Sequence, residues 1–324
     1  MDLKFNLILT ICLLFCITKR LSNNQKKIIN LAFPINNRYI NYLYTALVSL
    51  FENSNNNTIY KVHIQISDTF EINNKNLLYD LEKIYFNCFI IFINMYNDFS
   101  TAIKGALDSS TYYRLKLPIL LPNINRIIHI DGDSIILKDL MELYTLNFDG
   151  KYILGRLDMI VDELDSLGIY TKTYINCGIL LLDLYSLRKY NYVDKFMEYI
   201  QKHNNYRYLN HHDQTLINYI VRDNIGFLRP KYHMWPFGSI SVVKEFNNKL
   251  RTKYNITELI LDYYDPFIVH FAGSGKKNMS IDTIYHKKYI YYLKKSNEIR
   301  NKTHSLSYLS SPYNFSSFSS LIES

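Results

Sequence analysis

The stretch Arg126–Ser134, RIIHIDGDS, decides how the rest of this 324-residue chain is read. Ile127, Ile128 and Ile130 with His129 make a short apolar strand that runs directly into Asp131-Gly132-Asp133. Side chains two apart in extended backbone point the same way, so the two carboxylates can converge on one cation. Gly132 lets the backbone turn and a ligand approach closely. Paired oxygen ligands with open positions suit Mn2+, or Mg2+, that also takes oxygens from a diphosphate. Nineteen Asp in the chain predict about one Asp-x-Asp by chance, so the placement at a strand end carries the weight.

Outward from that motif, strand-like and helix-like segments alternate. Ile28–Phe33, Val62–Ile66 and Phe89–Ile93 read as strands, as does Arg126–Ile130. Between them, Arg38–Glu52 carries Ile40, Leu43, Tyr44, Leu47, Val48 and Phe51 at the spacing of an amphipathic helix, and Lys75–Phe86 reads as another. Ser110–Leu117 reads as a short helix stopped by Pro118. Repeated β–α–β of this kind implies an α/β fold with an open, largely parallel sheet and helices on both faces. Such sheets bind ligands beyond the carboxyl ends of their strands. With no internal repeat and no Gly/Pro-rich linker, residues 24–298 form one domain.

Composition excludes several classes. Apolar residues make 48% and charged residues 20%, which rules out a wholly disordered chain. Thirty Tyr and 34 Asn, with many Ile and Lys, are the residues of AT-rich codons. Cys12, Cys16, Cys88 and Cys177 are too few and too scattered for a disulfide framework or a four-thiolate zinc site. The net charge of +8 invites a nucleic-acid reading, but the charge lives at the ends: residues 1–27 carry +4, residues 266–302 carry +6, and the body is close to neutral. No basic stretch is interleaved with an aromatic platform, so nucleic acid is not expected as a partner.

Residues 1–20, MDLKFNLILTICLLFCITKR, hold an apolar run from Leu7 to Ile17 between Lys4 and Lys19–Arg20. Eleven residues are too few to cross a bilayer of ~30 Å as a helix, and the pattern suits a signal peptide or short signal anchor. A buried N-terminal strand or helix is the alternative. The expectation is a membrane-associated or secretory-pathway protein. No small-x-small cleavage site stands out, and Cys16 is a poor lipidation site after Leu13-Leu14-Phe15. At the other end, residues 304–324 are Ser-rich and almost uncharged, the composition of a disordered tail. Asn-x-Ser/Thr sequons at Asn56, Asn255, Asn278, Asn301 and Asn314 carry little weight in so Asn-rich a chain.

Three further segments could carry chemistry. In YINCGILLLDL (174–184), Asn176, Cys177 and Gly178 precede a run too apolar to be exposed, which puts Asn176 near a strand end or in a turn before it. In NHHDQTLIN (210–218), Asp213 and Gln214 head a helical pattern, where Asp213 could equally be a helix-start carboxylate. His211 and His212 are adjacent and face apart, which argues against a metal pair. In FIVHFAGSGKKN (267–278), a strand-like run carries His270, either a core residue or a third ligand for Mn2+. The Gly-rich turn and Lys276–Lys277 after it offer the backbone approach and positive charge that a phosphate needs.

Taken in order, STYYRLKLP (110–118), IIHIDGDSIILKDL (127–140), YINCGILLLDL, HDQTLIN (212–218) and IVHFAGSGKK (268–277) resemble glycosyltransferase family 8 over roughly residues 28–280. These are retaining nucleotide-sugar transferases of the GT-A fold, Rossmann-like, with a mixed, mostly parallel central sheet flanked by helices. The resemblance implies that Asp131, Asp133 and His270 hold Mn2+, and that Gly273 and Lys276 contact the diphosphate. It implies that Tyr39 stacks on the base, that Arg114 lies near the donor sugar and ribose, and that Asp158, Asn176, Asp213 and Gln214 line the reaction centre. A UDP-hexose donor, glucose or galactose, and a glycan or glycolipid acceptor follow.

Two departures stand out. The first strand ends FPINNRY, with Asn36 and Asn37 where the family usually has an acidic run that reads uracil. Lys277-Asn278-Met279 lacks the aromatic residue that commonly closes the last motif. The expected chemistry is a same-face substitution in which the leaving phosphate takes the acceptor's proton, since Asp131 and Asp133 are committed to metal. Two rivals are a degenerate sugar-binding or scaffold protein and an Asp-x-Asp phosphatase. The phosphatase motif normally lies in the first strand, whereas Asp131 follows at least three.

Overall fold

A computed structural model describes residues 26–96, 99, 109–202, 211–272 and 284–309, with Ile284 and 304–309 as backbone alone. Gly273, Lys276, Lys277 and the apolar N-terminal run therefore lie outside the described residues. The strands are β1 (Lys27–Pro34), β2 (Thr58–Ile66), β3 (Cys88–Asn94), β4 (Arg126–Ile130), β5 (Ser134–Ile136), β6 (Ile153–Leu157), β7 (Ile175–Asp183), β8 (Ile225–Phe227) and β9 (Ile268–His270). The longer helices are α1 (Ile40–Glu52), α2 (Ile72–Ile84), α3 (Leu184–Lys189), α4 (Tyr192–Lys202), α5 (His212–Ile220), α6 (Ile240–Lys249), α7 (Ile256–Tyr264) and α8 (Ile284–Leu309).

Seven strands form one sheet in the order β3-β2-β1-β4-β7-β6-β8, and β5 pairs with β9 beside it. The pairs β1–β2, β2–β3, β1–β4 and β6–β8 are parallel, whereas β7 runs antiparallel to both β4 and β6. The sheet is thus mostly parallel, as expected, with one central strand reversed.

Strand alternation sorts the core. Along β7, Ile179 and Leu181 face a cluster with Ile29, Leu31, Phe33 and α1, while Leu180 and Leu182 face a second cluster with Tyr112, Leu184 and Leu216. Both faces are covered, which is why ILLLD reads as a continuous apolar run. A third cluster joins Ile135 of β5 and Val269 of β9 to Val243, Leu259, Tyr263, Tyr285 and Tyr289 of α6, α7 and α8.

Four expectations need correcting. Pro118 does not stop a helix: Ser109–Lys116 is 3-10 backbone, and Pro118 sits in the first turn of the short helix Leu117–Leu120, where its missing N–H costs nothing. Helix α1 is not amphipathic in the ordinary sense. Thr45, Ala46 and Ser49 are buried as well as its apolar stripe, because α8 meets the helix at Thr45 and β5 meets it at Ser49. The tail expected from residue 304 begins as helix, since α8 continues to Leu309. Asn176, Cys177 and Gly178 do not precede the strand but lie within β7.

Candidate active site

Parallel β1, β4 and β6 end at one edge of the sheet, and reversed β7 begins there. The topology therefore brings Asp131 after β4, Asp158 after β6 and Asn176 at the start of β7 to a single edge, as does the turn after β1. That edge opens into a cleft of about 860 Å3 lined by Asn36, Asn37, Tyr39, Arg114, Asp131, Gly132, Asp133, Asn176, Asp213, Gln214 and His270, among others.

At the centre, one ligand atom each from Asp131, Asp133 and His270 lies within 4.8 Å of the others. His270 Nε2 is 3.2 Å from Asp133 Oδ1 and 3.8 Å from Asp131 Oδ2. The pairing of β5 with β9 sets this up: His270 stands opposite Ser134, and Phe271 N–H donates to Asp133 O at 2.9 Å. Two carboxylates and an imidazole are a fit donor set for Mn2+ or Mg2+, with coordination positions left for other oxygens. Gly132 has no positive φ, and a Cβ there would make only ordinary contact with Leu43. The turn does not require it, so of the two roles expected for Gly132 only close ligand approach remains.

Gly178 is the constrained glycine. A Cβ on it would lie 2.5 Å from His270 Nδ1, inside the ring's van der Waals envelope. Its carbonyl accepts the N–H of Asp131 at 2.8 Å, so one residue of β7 seats both the imidazole and the first carboxylate.

Arg114 is buried behind the acids. Nη2 donates to Asp131 Oδ1 at 2.9 Å, Nη1 donates to Cys177 O, and Nε donates to Thr111 O while lying 3.1 Å from Asp213 Oδ2. Burial would lower its pKa, but Asp131 and Asp213 hold it above its ordinary value. Burial would raise Asp131, yet Arg114 and a hydrogen bond from His129 keep it well below the usual carboxylate range. That bond runs from His129 Nε2 at 3.2 Å, and burial holds His129 down to about 4, so its ring is neutral. Burial instead pushes Asp213 up to about 6, against the pull of Arg114.

Beside this, Asp158 Oδ2 accepts from Asn176 Nδ2 at 2.9 Å and from Gln214 Nε2 at 3.4 Å, and Oδ1 accepts from Met159 N–H at 2.7 Å. Gln214 Oε1 accepts the N–H of Cys177 at 3.1 Å. Asp158, Asn176, Asp213 and Gln214 are thus one connected wall. His211 pairs with Glu163 at 2.6 Å and His212 with Tyr112 at 3.0 Å, so they do face apart.

The two departures at the end of β1 have separate geometries. Asn36 accepts the N–H of Arg38 at 2.9 Å and caps the 3-10 turn Asn37–Tyr39. Asn37 donates to Thr69 O and accepts from Glu71 N–H and Asn74, so its amide ties the turn to the segment after β2.

Sequence reasoning missed three residues. His129 could have been found, because it is two before Asp131 on the same strand face. The steric duty of Gly178 and the contact of His233 with His270 left no local signal: each depends on a residue far away in the chain.

Residues 30–277 match the model of the family described as Glycosyl transferase family 8. General stress protein A of Bacillus subtilis (strain 168) is 28% identical over 203 residues, covering 61% of this chain and 69% of that protein. The structure of the galactosyltransferase LgtC, solved in complex with donor and acceptor sugar analogues, superposes with TM-score 0.63 at 16% identity, covering 85% of this chain and 96% of that one. The bifunctional glycosyltransferase WbbM gives TM-score 0.62 at 15% identity over 82% of this chain, which spans about half (52%) of WbbM. At such identities the likeness of structures speaks for the fold, which is GT-A.

Proposed function

The chain belongs to glycosyl transferase family 8, and on that premise we propose that it moves a hexose, glucose or galactose, from a UDP-linked donor to a glycan or glycolipid acceptor with retention at the anomeric carbon. The observation that carries this reading is the Asp131–Asp133–His270 cluster set in the cleft beside the buried Arg114–Asp213 pair. A divalent cation held by those three residues, Mn2+ or Mg2+, would supply Lewis-acid stabilisation of the departing diphosphate.

The chain's own residues do the rest. Tyr39 and Asn36 line the cleft and are proposed for the base, and Asn37 holds their turn in place. Gly273 and Lys276 are proposed for the phosphates, where Lys276 would offset charge on the leaving group. Arg114, which holds Asp131 and the Cys177 carbonyl, is proposed to lie near the donor sugar and ribose. The C1–O bond to the β-phosphate breaks, the acceptor oxygen bonds C1 on the same face, and its proton passes to the released phosphate oxygen. Two local facts support this over a covalent intermediate. Asp158 already accepts three hydrogen bonds, and Asp213 is buried against Arg114, so neither carboxylate is poised as a nucleophile.

The test is incubation of the purified full chain with a panel of nucleotide sugars, with Mn2+ or with EDTA, while assaying free nucleotide diphosphate. Metal-dependent release that vanishes in Asp133→Ala is expected. Turnover with no donor, alongside retained sugar binding, would replace this reading with a sugar-binding protein. A trapped glycosyl-enzyme at Asp158 or Asp213 would overturn the same-face step.

A further inference from the structure

His270 offers Nε2 to the acids, and its other ring nitrogen meets a second imidazole: His233 Nε2 lies 2.9 Å from His270 Nδ1. We infer that His233 is the positioning residue of the cation site, accepting the Nδ1–H of His270 so that the Nε2 lone pair is bare and aimed between Asp131 and Asp133. This rests on the cation reading above and adds to it a residue that touches neither metal nor donor.

A neutral imidazole carries one N–H, and a ligating nitrogen must be without it. With Nε2 facing the carboxylates, the proton belongs on Nδ1, and His233 Nε2, 2.9 Å away, is its acceptor. A ligand histidine held through its other nitrogen keeps one tautomer and one ring plane.

His233 is itself fixed from several sides. It is fully buried, and its carbonyl accepts from Arg156 Nη1 at 2.9 Å. Its neighbour Met234 bridges to Val269, the residue before His270, and Met234 O accepts the His270 N–H at 2.8 Å. Arg156 has no exposed surface; its guanidinium lies 4.2 Å from the Trp235 ring and 5.2 Å from that of Phe246. Among the described residues, buried Arg156 Nε and Nη2, and His233 Nδ1, find no hydrogen-bond partner. Stability alone does not favour unpaired buried nitrogens, and an apolar residue at 233 would remove one of them. Support of His270 accounts for its retention.

Mn2+ titration of the full chain, followed by the EPR signal of free Mn2+, tests this with Asp133→Asn, His233→Phe and His233→Gln. Phe keeps a ring and removes the acceptor, whereas the Gln amide oxygen can accept the same hydrogen. We expect His233→Phe to weaken Mn2+ about 10–100-fold and His233→Gln to recover most of that loss. In parallel, 15N spectra of the Mg2+-loaded wild type should report His270 as the Nδ1–H tautomer. Wild-type affinity in His233→Phe, with Asp133→Asn binding lost, overturns the inference and leaves the cation site standing. A Gln variant as weak as the Phe variant also overturns it. Undiminished binding in Asp133→Asn shows that the cation reading itself has failed. If the Phe variant does not fold, the wild-type spectrum decides, and an Nε2–H tautomer at His270 refutes the role.

Discussion

A methyl group at position 178 would have to share space with the His270 ring, since an added Cβ falls 2.5 Å from Nδ1. Gly178→Ala should therefore displace the imidazole, lower Mn2+ affinity and nucleotide release at least tenfold, and cost about 1–3 kcal/mol of stability through overpacking. Metal titration and a denaturation curve on one sample check both halves. A second expectation concerns Asp213, which burial pushes up to about 6 from the usual 3.8. In the folded state it keeps its proton over a window where the unfolded chain has lost it, so stability falls as pH rises from about 4 through 6. Urea unfolding at several pH values should show that decline, on the order of 1–3 kcal/mol, in the wild type and not in Asp213→Asn. Parallel pH profiles for the two would refute it. Asp131 and Asp133 were legible in the sequence because an apolar run ends at them, and Asp213 because it heads a helical pattern; His270 stood out only as a histidine within a strand-like run, and Asp158 only through the family resemblance. His233 and Gly178 were not, because one acts through a ring 37 residues away and the other through having no side chain.

Among elements, α1 carries the largest difference between pattern and structure. Its i, i+3, i+4 stripe accounts for the face on the sheet, but Thr45 and Ser49 look like solvent positions and are fully buried. The helix is enclosed on its second side by α8, where Thr45 Oγ1 meets Ser296 Oγ at 3.3 Å, and by β5, where Ser49 Oγ accepts the N–H of Ile136 at 2.8 Å. Small hydroxyl residues suit that crossing because they let two helices approach and still satisfy each other. Ser296→Leu should overfill it and destabilise the protein by about 1–3 kcal/mol, measured by thermal or chemical unfolding; a neutral result would mean that α8 does not press on α1. Whereas β9 showed as the strand-like run around His270, the short strands β5 and β8 were equally illegible as elements, at three residues each. Their sequences satisfy many local patterns, and only pairing with distant partners makes them strands. By contrast β4 and β7 were plain, because covering both faces of a sheet demands an unbroken apolar run.

Across the whole molecule, the +8 charge resolves into specific places. The C-terminal basic residues are not all free at the surface: Lys295 bonds Glu52, and Arg300 donates to Asn41 at 2.7 Å while covering the Tyr44 ring. Lys288 and Lys294 stand exposed on α8. We propose that the two basic ends together meet an anionic bilayer, each exposed lysine adding up to about 1 kcal/mol. Co-sedimentation with phosphatidylserine vesicles should fall as salt rises, and salt-independent binding would dismiss the proposal. Among the described residues no helix is long and apolar enough to cross a membrane.

The order of the strands also sets a timetable. The seven-stranded sheet is complete once β8 has been made, at Phe227, yet His270 arrives about 40 residues later on β9. At a synthesis rate of ~5–20 residues/s, a growing chain can hold a finished sheet with two carboxylates and no imidazole for some seconds. A ribosome-bound intermediate of that kind would be folded and inert. On the proposed reading, the cation site would be complete only when the last strand closed beside Ser134.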